Sequence, residues 1–167
     1  MTIVTQPLRD EHQELLPHIE HICTVADHVG DIPAESLRRG VDEVYDFLAH
    51  HLLVHAEAEE RALYPVIAEM LGAPDATATM RRDHVEIGQL IGELAGLRAQ
   101  IGEGALPVSL AKGLRRVLYG LYALVKVHFA KEEEVYLPLL DAQMSAEEAR
   151  QLFEKMEAAA QEARTRH

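Results

Sequence analysis

The chain has 167 residues, enough for one domain that buries its own core without disulfides or metal staples. Hydrophobic residues make up 48%, which excludes a disordered chain. The 28 acidic against 16 basic residues leave a formal charge of −12, which argues against nucleic acid or an anionic membrane as partner. Aromatic residues are 5% and tryptophan is absent, so little is available to stack on bases; ten histidines are the unusual count.

Cys23 is the only cysteine, which excludes an intrachain disulfide and any cysteine-based zinc or iron–sulfur site. The longest apolar run, Val117–Val125, falls far short of the roughly 18 residues of a membrane span. A reducing cytoplasm is the expected compartment.

Apolar residues recur at i, i+3, i+4, i+7 almost throughout, and no stretch alternates with period two. The first helix, α1, is predicted over about residues 7–29, with Leu8, His12, Leu15, Ile19, Ile22 and Ala26 on one face. Gly30-Asp31-Ile32-Pro33 breaks it. α2 is predicted over about 34–70, its stripe carrying Leu37, Val41, Val44, Leu48, His51, His55, Glu59 and Ala62. Leu71 to Asp75 is a stop followed by a start signal. α3 should span about 76–101, ending at Gly102 and Gly104, and α4 about 107–141. A shorter α5 starts at Ser145, where Ser145-Ala146-Glu147-Glu148 matches a capping box; its polar tail should fray. The expected fold is all-α: an antiparallel up-down-up-down four-helix bundle over about 7–141, with a short C-terminal fifth helix at about 145–164. Residues 1–167 read as a single domain.

Two pairs of segments match internally. His55-Ala-Glu-Ala-Glu59-Glu60 followed by Pro65 aligns with His128-Phe-Ala-Lys-Glu132-Glu133 followed by Pro138, 73 positions further on. Arg9-Asp10-Glu11-His12 aligns with Arg81-Arg82-Asp83-His84 at 72. The chain therefore reads as two copies of a helical hairpin. On a helix, i and i+4 point the same way, so His55 with Glu59 and His128 with Glu132 each aim an imidazole and a carboxylate at one spot. A single His-x-x-x-Glu is usually a surface pair. Six such residues at matched offsets, all on core faces, are not: four imidazoles and two carboxylates would meet inside, where only a cation or full hydrogen bonding makes the carboxylates tolerable. Two metal ions fit, each taking two imidazoles, with His12 and His55 on one and His84 and His128 on the other unless the pairing crosses. Glu59 and Glu132 would bridge. Nitrogen and carboxylate donors suit iron better than calcium or magnesium, while zinc stays open on ligand type alone.

These residues carry a resemblance to the hemerythrin-like family, the HHE cation-binding domain, over about residues 8–140. It rests on one histidine on each of α1 and α3 and His-x-x-x-Glu on each of α2 and α4. The resemblance implies a bundle holding two iron ions with a bridging oxo or hydroxo group, reacting with or binding a small partner: O2, NO or peroxide. Two departures set the chain apart from oxygen carriers. Gly88 stands where carriers have a second α3 histidine, and His128-x-x-x-Glu132 replaces their His-x4-Asp. Both ions would then keep vacant or water-filled positions, which points away from simple reversible O2 carriage. It points instead to a catalase- or peroxidase-like or stress-protective reaction, the alternative being a non-catalytic module that senses, binds or stores iron or gas. A ferritin-type centre needs Glu-x-x-His, and no histidine has a glutamate at i−3. The chain is expected to be a monomer or a weak homo-oligomer.

The remaining candidates are secondary. His51, one turn before His55, reads as an extra ligand or ring-orienting residue, or as a core histidine bonded to a backbone carbonyl. Tyr136, one turn beyond Glu132, is the candidate catalytic proton donor, with core packing as its alternative. Glu11 and Asp83, each preceding a ligand histidine, either orient an imidazole or belong to a solvated face; Glu60 and Glu133 face a second layer or solvent. His18, His21, His28, His50 and His167 fit no repeat and receive no role. Pro65 and Pro138 should kink or end α2 and α4.

Overall fold

The computed structural model describes residues 3–166, and the regular structure there is all-helical, in five helices. α1 runs Gln6–His28 and α3 Ala78–Arg98. α2 is continuous over 34–71 and α4 over 108–143, and both contain turns of π-helix. In α2 these are Leu48–Leu52 and Glu59–Leu63; in α4 there is one, Glu132–Tyr136. α5 is Ala146–Arg164.

The π turns explain why the two prolines do not end their helices. The amide of Tyr64 donates to the carbonyl of Glu59, and that of Leu137 to Glu132, five residues back rather than four. Pro65 and Pro138 follow immediately, so the missing N–H falls where the ladder already changes register. α2 therefore continues to Leu71 and α4 to Gln143, close to the expected bounds, and of the two effects expected of the prolines neither helix shows an end there.

α1 packs on α4 and on the first part of α2, and α3 packs on α4. Two apolar cores result. The larger joins residues such as Ile19, Val41, Leu94, Leu118 and Leu121, all fully buried. The second gathers Leu8, Leu63, Ile67, Met80 and Leu137 with the inner face of α5. That face reads Leu152, Met156, Ala159, Ala160, Ala163 and lies against α2 at 53–63, so the end of α5 is packed, not frayed. Alanines in a glutamate-rich stretch made it look polar.

The predicted capping box is present: Ser145 Oγ accepts from the Glu148 amide, and the Glu148 carboxylate accepts from the Ser145 amide. Ser145→Ala is expected to lower unfolding free energy by about 1 kcal/mol in a urea melt.

Candidate metal centre

The six predicted residues meet between the two cores, all of them buried. Their donor atoms form two groups, each within 4.8 Å: His12, His55, Glu59 and Glu132, and then Glu59, His84 and His128. His84 Nε2 and His128 Nε2 are 3.0 Å apart, and the rings of His12 and His55 lie edge to face at 5.2 Å. The histidines thus pair without crossing.

Each carboxylate is divided between the pairs. Glu59 Oε1 lies 2.9 Å from His55 Nε2, while its Oε2 lies 3.4 Å from His84 Nε2. Glu132 Oε2 lies 3.4 Å from His12 Nε2, and its Oε1 3.3 Å from His128 Nε2. One oxygen per pair is the arrangement of a bridge.

Four carboxylates stand behind the four imidazoles. Glu133 Oε1 is 2.7 Å from His12 Nδ1, Glu11 Oε1 3.0 Å from His55 Nδ1, Glu60 Oε1 2.9 Å from His84 Nδ1, and Asp83 Oδ2 3.0 Å from His128 Nδ1. A carboxylate accepts from Nδ1–H, which leaves the Nε2 lone pair free and aimed inward. Glu11 and Asp83 serve the histidine of their own hairpin, whereas Glu133 and Glu60 reach across to the other hairpin. Arg9 donates to Glu133 at 2.5 Å and Lys131 to Asp83, which holds two of these carboxylates in turn.

The fit to a metal can be judged from unmet bonding. His12 Nε2, His55 Nε2, both oxygens of Glu59 and Glu132 Oε2 are buried without a hydrogen-bond partner. Buried polar atoms are almost always paired, and five orphans converging on one point mark where cations belong. In the chain by itself protons make up part of the charge. Burial works against a charged His55, but the Glu59 and Glu11 carboxylates override it and hold its pKa well above the ordinary value. At His128 burial is likewise outweighed, by Glu132 and Glu59, and the pKa rises to about 10. Burial disfavours a charged Glu59 carboxylate as well, yet the facing histidines, His55 foremost, draw it well below the usual range.

Two sequence expectations are corrected by the π turns. Tyr136 is not at the centre; its hydroxyl donates to the carbonyl of Ala76 at 3.2 Å. Tyr64 is there instead, fully buried, donating to Glu132 Oε1 at 2.9 Å and lying 3.3 Å from His128 Nε2. A π turn starting at the glutamate brings i+5 rather than i+4 onto the glutamate's face, and Tyr64 is five residues after Glu59. The equivalent residue after Glu132 is Leu137. His51 lies in the turn Leu48–Leu52, which rotates it off the interior stripe; it is exposed, its ring beside Phe47 at 6.4 Å, and takes no part in the cluster. His18, His28 and His50 are also exposed and His21 is half-buried, while His167 lies outside the described residues.

Phe129 closes one side of the cluster, stacked on His12 at 4.4 Å. Its counterpart in the repeat is Ala56, and beside Ala56 lies a void of about 10 Å3. Glu59, His84 and His128 line it, together with apolar side chains including Leu52, Ile87 and Val125. Such a space is at the lower limit for about one water molecule.

No match was found among curated proteins or solved structures. The hemerythrin HHE cation binding domain matches residues 4–140, most of the chain and every residue of the cluster. The chain belongs to that family.

Proposed function

We propose that the chain is a non-haem di-iron protein whose centre reacts with, or binds, peroxide, NO or O2. The observation that carries this reading is the pair of buried carboxylates, each with one oxygen on each histidine pair. His12 and His55 would hold one ion, His84 and His128 the other, and Glu59 and Glu132 would join them. Iron, with an oxo or hydroxo bridge, would supply the electrons and Lewis acidity. The antiparallel up-down-up-down order of α1 to α4 belongs to the same proposal and is supported by their short connections.

The chain's own groups have separate tasks. Glu11, Glu60, Asp83 and Glu133 fix the four rings. Tyr64 holds a proton on its phenol oxygen, directed at Glu132. Burial, then the Glu59 and Glu132 carboxylates, push the Tyr64 pKa far up, so the phenol stays protonated at any ordinary pH. The apolar wall beside Ala56 keeps bulk water out and leaves room only for a small ligand.

Metal analysis with an absorption spectrum of the purified protein tests this directly. Two irons per chain and near-ultraviolet charge-transfer bands are expected; substoichiometric metal that is mostly zinc would sink the reading. Gas evolution from hydrogen peroxide then separates a catalase-like role from sensing or storage, for which no turnover is expected. A second check uses the void. Ala56→Val should leave the iron content unchanged while slowing reaction with added peroxide or NO, and should destabilise the fold by about 1–3 kcal/mol through overpacking.

A further inference from the structure

Three histidines outside the buried cluster line one surface groove. Between α1 and the first part of α2 lies an open groove of about 580 Å3, lined by Glu14, His18, His21, Glu43, Asp46 and His51 over an apolar floor. The His18 ring stacks on Phe47 at 4.9 Å and 14°, and the His51 ring lies nearly parallel to the same phenyl at 6.4 Å and 16°. His21 Nε2 is 3.2 Å from Glu43 Oε2. That pair also lines a second, separate cavity that includes His28.

The internal repeat supplies a comparison within the molecule. At the positions 72 or 73 further on, Glu14, His18 and His21 become Glu86, Leu90 and Glu93, while Glu43, Asp46 and His51 become Arg116, Tyr119 and Leu124. No histidine remains. The His21–Glu43 pair is replaced by a Glu93–Arg116 salt bridge at 2.5 Å, which offers a cation nothing. The π turn Leu48–Leu52, which brings His51 to the groove, is also confined to this half: α4 is regular α-helix from Val108 to Lys131.

We propose that this groove is a second cation site, taking a transition-metal ion of the zinc type. Imidazole and carboxylate donors match that class. The nitrogen–oxygen spacing of His21 and Glu43 is close to the roughly 3.3 Å that two such ligands span across a tetrahedral ion. His21 and Glu43 form the seated pair. His18 and His51, held on Phe47, complete the site by side-chain rotation, and Glu14 and Asp46 add negative charge. Because the ligands are solvated and must turn to bind, the site is weaker than the buried centre and exchanges its ion readily.

The test compares zinc uptake by the full chain with that of a His18→Ala/His21→Ala variant, by equilibrium dialysis, together with iron content. The unsubstituted chain should bind about one more Zn2+ than the variant, and Glu43→Gln alone should weaken that increment at least tenfold. Ring-proton resonances of His18, His21 and His51 should shift as zinc is added. All the substituted side chains are exposed or half-buried, so the circular dichroism of the variants should match that of the parent. Equal zinc uptake by parent and double variant overturns the proposal. Failure of the di-iron reading would show separately, as iron missing from both proteins, while the zinc difference between them remains readable.

Discussion

Glu59→Ala is expected to remove more than half of the metal the chain binds, and to do so more completely than Glu132→Ala. Glu59 alone belongs to both groups of convergent donors. Without it, the second group keeps only His84 and His128, and the first loses one of its two carboxylates. Without Glu132, by contrast, the second group is intact and the first still has His12, His55 and Glu59. The thermal consequence should depend on loading. A ligand present at a thousand times its dissociation constant stabilises by about 4 kcal/mol, and the loaded protein would lose an increment of that order. After chelation the two proteins should melt close together. In the chain by itself Glu59 has two buried oxygens without partners, and its removal also relieves that burial. Metal analysis and paired melts with and without chelator would check both halves. Equal metal content in parent and variant would remove Glu59 from the centre.

Tyr64→Phe is expected to keep both ions and to lose reactivity. The phenol donates a hydrogen bond into the cluster, and a preorganised hydrogen-bond donor at a reacting centre contributes a factor of about 10² to 10³. Turnover of peroxide should fall within that range while iron content holds. The buried Glu132 Oε1 loses its donor, at a cost of about 1–3 kcal/mol in stability. Tyr136→Phe is the matched control: its hydroxyl bonds the Ala76 carbonyl, so it should leave metal and turnover unchanged. A Tyr64→Phe protein with parental rates would show that the phenol only fills space.

What the sequence revealed and what it concealed divide along helical geometry. His12, His55, Glu59, His84, His128 and Glu132 were legible because each pair within one helix is spaced i, i+4 over a stretch of regular α-helix, with the next π turn starting only at the glutamate. The repeat then supplied the offsets that made the coincidence meaningful. The carboxylates behind the rings were half legible: Glu11 and Asp83 precede His12 and His84, and Glu60 and Glu133 follow Glu59 and Glu132, but a bond between helices has no periodic signature. Tyr136 and His51 were misplaced, and Tyr64 was missed, for one reason. Counting 3.6 residues per turn fails across a π turn, which admits one additional residue and rotates everything beyond it. The signal was present in the prolines six residues after Glu59 and Glu132, where an unbroken helix is hard to continue unless its ladder already skips a bond.

The reciprocal reach of Glu60 and Glu133 also bears on how such a centre could arise and assemble. Neither hairpin is self-sufficient: His12 needs a carboxylate from residue 133, and His84 needs one from residue 60. A protein made of one hairpin could close the same four bonds only by meeting a second copy of itself, so its centre would dissolve on dilution. Joining the copies head to tail makes the meeting intramolecular, at the millimolar effective concentration a short tether provides. It also frees the two halves to diverge. Phe129 opposite Ala56, and Tyr64 opposite Leu137, are differences that a symmetric dimer of identical chains could never hold.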